Sequence, residues 1–255
     1  MPALDSFSEP DELAKKARLL IISNIPPSNI NTKPRGSNGK KILSASSSAA
    51  WLPENGRRKT LQTNNRKQIT TASSFTHKGK KYRINNGNER GLPLYIEPLQ
   101  KIIEQFEVGL MKWRRVFVLR VELHMPHETQ DNRCITGFNK RLFQRLKREY
   151  GFKDIGFAWA REYHGKGKGQ HYHYALFLDG NKVRHSSRII EFVRASWERS
   201  MGGYSIGYIK RPFYFVDNEA VAQKAIYRLS YLAKTRGKGH RPPQTKDYGT
   251  SRMKY

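Results

Sequence analysis

Two histidines separated by a single residue stand in a stretch of sequence that alternates like a β-strand. His171 and His173 point to the same face of such a strand, because strand side chains alternate between two faces. If this strand forms a hairpin with the preceding one, and the turn is centred between Gly167 and Lys168, Glu162 lies directly opposite His173 on that face. Two imidazoles and a carboxylate can hold a divalent cation with coordination positions left open. The pattern therefore predicts a metal site formed by these three side chains.

Each of these residues also has a simpler interpretation. Histidine pairs occur by chance on many protein surfaces, and Glu162 and Glu122 fit ordinary surface carboxylates in a basic protein. His124 and His164 fall on the same face, and solvation or hydrogen bonding explains them equally well. The metal interpretation depends on the register, since a slip of one residue moves Glu162 to the opposite face.

A predicted helix near the C-terminus presents two tyrosines and a lysine on one side. At about 100° per residue, Tyr227, Tyr231 and Lys234 fall roughly opposite an apolar stripe. Because aliphatic residues already supply the core side, the phenols are predicted to be functional groups or stacking partners for bases. A phenol with a pKa of about 10 is a poor nucleophile, and a nearby lysine or a metal-polarised phosphate would help it attack. The product would be a covalent tyrosyl phosphate.

The elements that position these residues follow from hydrophobic periodicity, in the order α-β-α-β-β-α-β-α. The predicted helices and strands are 98–113, 115–124, 138–150, 155–163, 171–179, 187–201, 205–216 and 217–235, with Asp217 as the last N-cap. Along the first strand, every second residue from Phe117 to Leu123 is apolar. We predict an α+β fold, an antiparallel sheet with helices on one face, whose other face carries small residues and the His/Glu cluster.

The chain divides by composition into three parts. Residues 1–93 are basic and predicted to be mostly disordered or loosely packed, apart from one helix near residues 11–20. They lack a sustained apolar period, so they cannot bury enough surface to offset chain entropy. Residues 94–235 form the predicted folded domain. Residues 236–255, rich in glycine and proline, are predicted to be an irregular basic tail.

The charge of the chain indicates a polyanionic partner. The 255 residues include 48 Lys and Arg against 21 Asp and Glu, a formal net charge of +27. Nucleic acid is the first expectation and an anionic membrane surface the second. No apolar run approaches the roughly 20 residues of a membrane-spanning helix, and the single cysteine, Cys134, excludes an internal disulfide framework. We expect a soluble, cytoplasmic protein that binds nucleic acid and no membrane.

Two of these motifs resemble signatures of replication enzymes. The stretch around His171 and His173 resembles the HUH motif of rolling-circle replication initiators and relaxases, with Tyr172 at the central position, where a hydrophobic residue is usual. Residues 227–234 resemble the two-tyrosine YxxxYxxK motif of phage-type initiators. Residues 120–124 stand where the family's first motif strand belongs.

A more specific resemblance covers a longer part of the chain. Residues 169–234, followed by residues 248–252, are similar to the inovirus-type replication protein family that also includes the YagK/YfjJ C-terminal domain. The resemblance covers roughly residues 94–255. It implies an HUH-endonuclease-like sheet domain, ferredoxin- or palm-like, that nicks one DNA strand at a replication origin.

The resemblance also implies a mechanism and its partners. Mg²⁺ or Mn²⁺, held by the histidines and an acidic residue, polarises the scissile phosphate. A tyrosine attacks and stays joined to the DNA 5′ end, and the 3′-OH is left for the host polymerase. A second tyrosine can attack the regenerated origin and release a circle. The substrate would be single-stranded or hairpin origin DNA in the cytoplasm of a bacterial host. The chain shows no Walker-type loop, so a host helicase is expected as a partner.

Matching positions carry the roles over to individual residues. Tyr231 and Tyr227 are the nucleophile candidates, and Lys234 would neutralise charge; Tyr231 is preferred because it adjoins Ser230 and Lys234. His171 and His173 are metal ligands, with Glu162 as the third ligand and Glu122 as its competitor. DNA contacts are assigned to Arg120, Lys166, Lys168 and Arg228.

Three other functional hypotheses are consistent with parts of this pattern. A DNA- or RNA-binding regulator could keep the fold without cleavage. A relaxase or transposase would use every residue named above and differ only in its DNA substrate. A two-histidine, one-carboxylate iron oxygenase is a third reading, which the charge of +27 disfavours.

Overall fold

The computed structural model describes most of the C-terminal three quarters of the chain. The described residues are 68–88, 90–165, 169–202, 206–207 and 209–255. The chain divides into two compact units, residues 1–58 and 59–255, and every described residue belongs to the second unit. The helix predicted near residues 11–20 and the candidate DNA contacts Lys166 and Lys168 lie outside the described residues.

The described residues form ten strands and four α-helices, and most of the predicted elements are confirmed. The strands are β1 (Ile69–Thr70), β2 (Ser74–His77), β3 (Lys80–Arg83), β4 (Leu94–Tyr95), β5 (Val116–His124), β6 (Gly156–Tyr163), β7 (Gln170–Asp179), β8 (Ile206–Gly207), β9 (Phe213–Val216) and β10 (Tyr248–Thr250). The helices are α1 (Ile96–Lys112), α2 (Arg133–Tyr150), α3 (Ser186–Met201) and α4 (Glu219–Leu229). Within the described ranges, no helix combines the length and apolarity that crossing a bilayer requires.

The central sheet has six strands, and all its pairings are antiparallel. The order is β10-β6-β7-β5, with β8 and β9 paired to the far edge of β5. The long strands β5, β6 and β7 form its middle, and β7 lies between the other two. This confirms the predicted α+β class with an antiparallel sheet.

Helices cover both faces of this sheet, which differs from the expected one-sided cover. On one face, the predicted apolar row of β5 packs with buried residues of α2 and α3, such as Phe138 and Trp197. On the other face, Val116 and Val118 pack with α1 and α4. Small residues of the sheet, including Ala158, lie beneath these helices and leave room for their larger side chains. The small-residue row therefore receives helices instead of solvent.

The last predicted helix has a different start and a different end. Asn218, not Asp217, caps α4, because the Asn218 side chain accepts a hydrogen bond from the Val221 N–H. The α-helix ends at Leu229 and continues as a tighter 3-10 turn, Ser230–Ala233. The change of helix type lies between the two tyrosines and alters their relative direction.

The part of the N-terminal region that is described is folded, so the predicted boundary at residue 93 is wrong there. Strands β2 and β3 form a hairpin. Tyr82 and Ile84 are fully buried in the core beneath α1 and α4, and the Tyr82 hydroxyl donates to Glu107 at 2.6 Å. The sequence pattern is weak because the hairpin is short and buries few side chains, all of them against other elements.

The predicted irregular tail also contributes to the sheet. Strand β10 pairs with β6 and forms one edge of the sheet. Lys238 and Asp247 are buried, and the Arg161 N–H donates to the Asp247 carbonyl at 2.7 Å. Glycines and prolines shape the segment before β10, but its ends are held by the domain.

Candidate active site

One end of the sheet face under α1 and α4 is polar. Next to the small residues, Glu122 of β5 lies opposite His173 of β7. Two residues further along the strands, His171 of β7 lies between His124 of β5 and Glu162 of β6. These residues share a face because strand side chains alternate with a period of two. The three strands thus bring two carboxylates and three imidazoles to one spot.

The hairpin register is two residues away from the predicted one. Glu162 pairs with His171, and His173 pairs with Ala160, whereas the sequence placed Glu162 opposite His173. A shift of two residues keeps every side chain on its face. Glu162 therefore still reaches both histidines, His171 directly across and His173 diagonally.

The Glu162 carboxylate lies at the centre of the cluster and is almost fully buried. Its Oε2 atom is 3.0 Å from His173 Nε2, 3.5 Å from His164 Nε2 and 3.8 Å from His171 Nε2. Its Oε1 atom accepts a 2.6 Å hydrogen bond from Lys238 Nζ. Burial opposes ionisation, but the hydrogen bond from His173 and the charge of Lys238 outweigh it and lower the pKa of Glu162 to about 2.

The second carboxylate contacts the other side of His173. Glu122 Oε1 is 3.2 Å from His173 Nδ1, so His173 lies between the two carboxylates. The hydrogen bond with His173 lowers the pKa of Glu122 to about 2 despite its partial burial. By contrast, burial lowers the pKa of His171 to about 4, with the neighbouring His173 acting in the same direction. His171 is accordingly a neutral imidazole at neutral pH, the form that binds metals.

The donor set fits a divalent cation. Ligands about 2.1 Å from one cation lie about 3–4 Å from one another, and Glu162 Oε2 has three imidazole nitrogens in that range. Among the described residues, Glu162, His164 and His171 offer ligand atoms that all lie within 4.8 Å of one another. His164, which sequence reasoning left as a solvated or hydrogen-bonded side chain, is thus a further ligand candidate beside His173.

Tyr231 faces this cluster from the 3-10 turn. Its ring centroid is 4.9 Å from that of His173, in an edge-to-face arrangement. Two cations flank the ring, with the Arg120 guanidinium carbon 4.5 Å and Lys234 Nζ 4.2 Å from its centroid. Burial, reinforced by the charge of Glu162, raises the pKa of Tyr231 above its ordinary value, while Arg120 acts in the opposite direction. The free phenol therefore stays protonated at neutral pH.

Tyr227 has different surroundings, although it lies only one helical turn earlier. Its hydroxyl donates to Asn88 Oδ1 at 2.6 Å, and the Arg83 guanidinium lies 5.5 Å from its ring centroid. Both partners belong to the hairpin segment that precedes β4. The structure thus brings Tyr231 to the polar cluster and leaves Tyr227 against the N-terminal hairpin.

A cavity of about 350 Å³ opens between the sheet and the helical cover. Side chains from both sides line it: Leu92, Pro93, Glu162, His164, Tyr231, Lys234, Thr235 and Arg236. It contains a carboxylate, an imidazole, a phenol and two cationic side chains. Two candidate DNA contacts lie in the described part of the chain. Arg120 is buried beside the Tyr231 ring, and Arg228 donates to the Lys210 carbonyl at 3.0 Å; neither is among the residues that line the cavity.

The comparison with protein families matches residues 71–251 to the YagK/YfjJ C-terminal domain. The chain belongs to this family. The match begins between β1 and β2 and ends one residue after β10. Parts of both segments that the sequence placed outside the folded domain, residues 71–93 and 236–251, therefore lie within the family domain. The comparisons with curated proteins and with solved structures found no match.

Two residues of this YagK/YfjJ domain were missed by sequence reasoning, and both come from the predicted tail. The Lys238 side chain is buried, and its Nζ atom pairs with Glu162 and donates to the Lys234 carbonyl. Gly237 has a positive φ of 74°, and a Cβ atom there would overlap the His164 ring. The Gly-Lys-Gly run at residues 237–239 of a basic tail carries no signal of this proximity, because only the return of the chain to β6 creates it.

Proposed function

We propose that this YagK/YfjJ domain is a DNA strand-nicking enzyme, an HUH-type endonuclease of the inovirus replication protein kind, with Tyr231 as its nucleophile. The observation that carries the proposal is the 350 Å³ cavity. In it, Glu162 of β6 and the adjoining His164 line the cavity together with Tyr231 of the 3-10 turn and Lys234, which follows that turn. A carboxylate–imidazole cluster beside a phenol flanked by cations suits attack on a phosphodiester.

The reaction would be a transesterification at phosphorus. The Tyr231 phenol oxygen forms a bond to phosphorus and loses its proton to solvent, while the bond from phosphorus to the 3′ oxygen breaks and that oxygen gains a proton. The products are a 5′-phosphotyrosine linkage and a free 3′-OH. Arg120 and Lys234 flank the Tyr231 ring and would stabilise the negative charge that develops on phosphate and phenolate.

Mg²⁺ or Mn²⁺ is the cofactor that this chemistry calls for. Glu162, His171 and either His164 or His173 are the residues that would hold it. A bound cation would polarise the scissile phosphate. The 3′-OH would be extended by a host polymerase, with a host helicase separating the strands, and single-stranded or hairpin origin DNA would be the substrate.

The test is formation of a covalent adduct. The purified chain is incubated with tiles, which are overlapping single-stranded DNA oligonucleotides that cover the sequence flanking its gene, in the presence of Mn²⁺, Mg²⁺ or EDTA. Protein–DNA adducts that resist SDS are then mapped to a residue by peptide sequencing. We expect a metal-dependent adduct at Tyr231, reduced at least about 10²-fold by Tyr231→Phe. Tyr227→Phe is the matched control and should retain the first adduct within a few-fold, because its hydroxyl bonds Asn88. Absence of any adduct with all tiles, or an adduct that persists in Tyr231→Phe, contradicts the proposal.

A second candidate is a DNA-binding regulator that does not cleave. One observation favours it: the cluster already satisfies its own charges, since Lys238 pairs with Glu162 and His173 lies between two carboxylates. This candidate predicts DNA binding without an adduct and without a change on adding Mn²⁺. Relaxase or transposase strand transfer would give the same adduct, and the sequence of the reactive tile would distinguish it from origin nicking.

A further inference from the structure

The outer face of α2, on the opposite side of the sheet from Tyr231, is strongly basic. The helix contains six basic residues and one acidic residue, Glu149: the basic ones are Arg133, Lys140, Arg141, Arg145, Lys147 and Arg148. Its apolar residues, such as Phe138 and Leu142, are buried against the sheet. The folded domain thus presents a positive surface that the cavity and its chemistry do not use.

The spacing of these residues makes a continuous stripe. Arg133, Lys140 and Lys147 are seven residues apart, so they lie within about 40° of one another around the helix. All three are exposed, and so is Gln144, which lies between the two lysines on the same side. This stripe points away from the buried apolar side of the helix, and its only described ion pair is the one between Arg133 and Asp131.

Neighbouring arginines on the flank of the stripe are held in place by α3. Arg141 Nη1 donates to Ser200 Oγ at 3.0 Å, and the Arg145 guanidinium carbon lies 3.9 Å from the ring centroid of Phe192. Arg188 of α3 reaches Glu149, the one acidic side chain of α2. These contacts fix the two helices as one unit and leave the lysines of the stripe directed to solvent.

The chemistry of this face fits duplex DNA better than other polyanions. An α-helix fits the major groove, which is about 12 Å wide, and lysine, arginine and glutamine contact phosphates and base edges there. Single-stranded DNA is bound through exposed aromatic platforms, and the stripe carries none. A membrane-surface helix inserts apolar side chains, and none of the large apolar residues that are exposed in the described part of the chain lies on α2 or α3.

We propose that the exposed stripe of α2 binds duplex DNA, on the side of the sheet opposite to the tyrosine cavity. The stripe and the cavity would then hold a double-stranded segment and a single-stranded segment of the same DNA at once. This inference goes beyond the proposed nicking activity and does not depend on it, since a non-cleaving regulator could use the same surface.

The experiment measures affinity for a 30-base-pair duplex by fluorescence anisotropy between 50 and 300 mM salt, in EDTA, with the full chain. The test variant is Arg133→Gln/Lys140→Gln/Lys147→Gln, in which all three side chains are exposed. We expect its affinity at 100 mM salt to fall at least about 10-fold, and the slope of log K against log salt to shrink by about 2–3, since each phosphate contact contributes about 0.9. Affinity for a single-stranded 30-mer should change less than about 3-fold.

A matched variant removes the same charge elsewhere. Lys78, Lys81 and Lys101 are exposed residues of the hairpin and of α1, which pack on the other side of the sheet, and changing them to Gln should alter duplex affinity less than about 3-fold. Lys140→Arg/Lys147→Arg keeps the charge and should keep the affinity. Equal losses in both triple variants would overturn the proposal, and so would binding of the wild-type chain to anionic phosphatidylserine vesicles but not to the duplex. Because the assay contains no metal and scores no adduct, its failure is distinct from failure of the nicking proposal.

Discussion

The two faces of the central sheet are built by the same strands but end differently. On β5, Phe117, Leu119 and the residues that alternate with them point to α2 and α3 and are apolar along the whole strand. The opposite row begins with Val116 and Val118 beneath α1 and α4 and continues with Arg120 and Glu122. One face is a continuous core, and the other is a core that changes into a polar cluster.

The difference shows how a buried polar site can be built without loss of the fold. The polar cluster lies where the helix α4 ends, at Leu229. Beyond that residue, the 3-10 turn and the segment that leads to Lys238 cover the sheet. Buried polar groups are costly unless they are paired, and here Glu162 pairs with both His173 and Lys238. The apolar face contains none of these three residues, so the two faces should respond differently to substitution.

The largest expected effect comes from breaking the buried ion pair on the polar face. Glu162→Gln leaves the Lys238 ammonium buried without this carboxylate and should lower the free energy of unfolding by about 3–5 kcal/mol, measured by urea titration. The double variant Glu162→Gln/Lys238→Met should recover most of that stability, because the buried ammonium that faced Glu162 is removed as well, but it should not recover adduct formation. A loss below about 1 kcal/mol in the single variant would mean that the pair contributes little to the fold.

Two adjacent residues of β5 offer a direct comparison of the faces. Leu119 is buried on the apolar face, and Leu119→Ala should cost about 2–5 kcal/mol of stability while leaving adduct formation per folded molecule unchanged. Arg120→Gln should lower adduct formation on the order of 10²-fold, because it removes a cation from the Tyr231 ring. Stability from urea titration and adduct yield normalised to folded protein separate the two effects. If both variants lost stability and activity in the same proportion, the two faces would not act independently.

The smallest of these effects concerns Gly237 and Gly239, in the segment that follows the 3-10 turn. Gly237 and Gly239 both have positive φ, at 74° and 90°, but a Cβ atom would overlap His164 only at Gly237, whereas at Gly239 it would meet nothing within 4 Å. Each Gly→Ala change should cost about 1–2 kcal/mol of backbone strain, read from thermal unfolding. Gly237→Ala should additionally weaken Mn²⁺ binding, measured by calorimetry, and Gly239→Ala should not. Equal Mn²⁺ affinity in the two variants would place His164 outside the metal site.

The sequence could predict the element types and their order because both depend on local periodicity. Most helices and strands of residues 94–235 match the predicted ones to within a few residues. The exceptions are β4, which was not predicted, the broken strand region 205–216, which forms the two short strands β8 and β9, the helix α2, which starts at Arg133 instead of residue 138, and the last helix, which ends as a 3-10 turn. The β2–β3 hairpin and β10 were missed because each buries only a few side chains against elements distant in sequence. A short stretch of sequence does not show which distant residues will pack against it.

The candidate site was also predictable only in its local features. Alternation alone placed His171, His173 and Glu162 on one face, and it did so despite a register error of two residues, because the side-chain period of a strand is two. Only the tertiary structure decided which nitrogen meets which oxygen, that Tyr231 and not Tyr227 reaches the cluster, and that Lys238 closes it. Facing direction is a property of a single strand, whereas proximity between segments depends on how the whole chain packs.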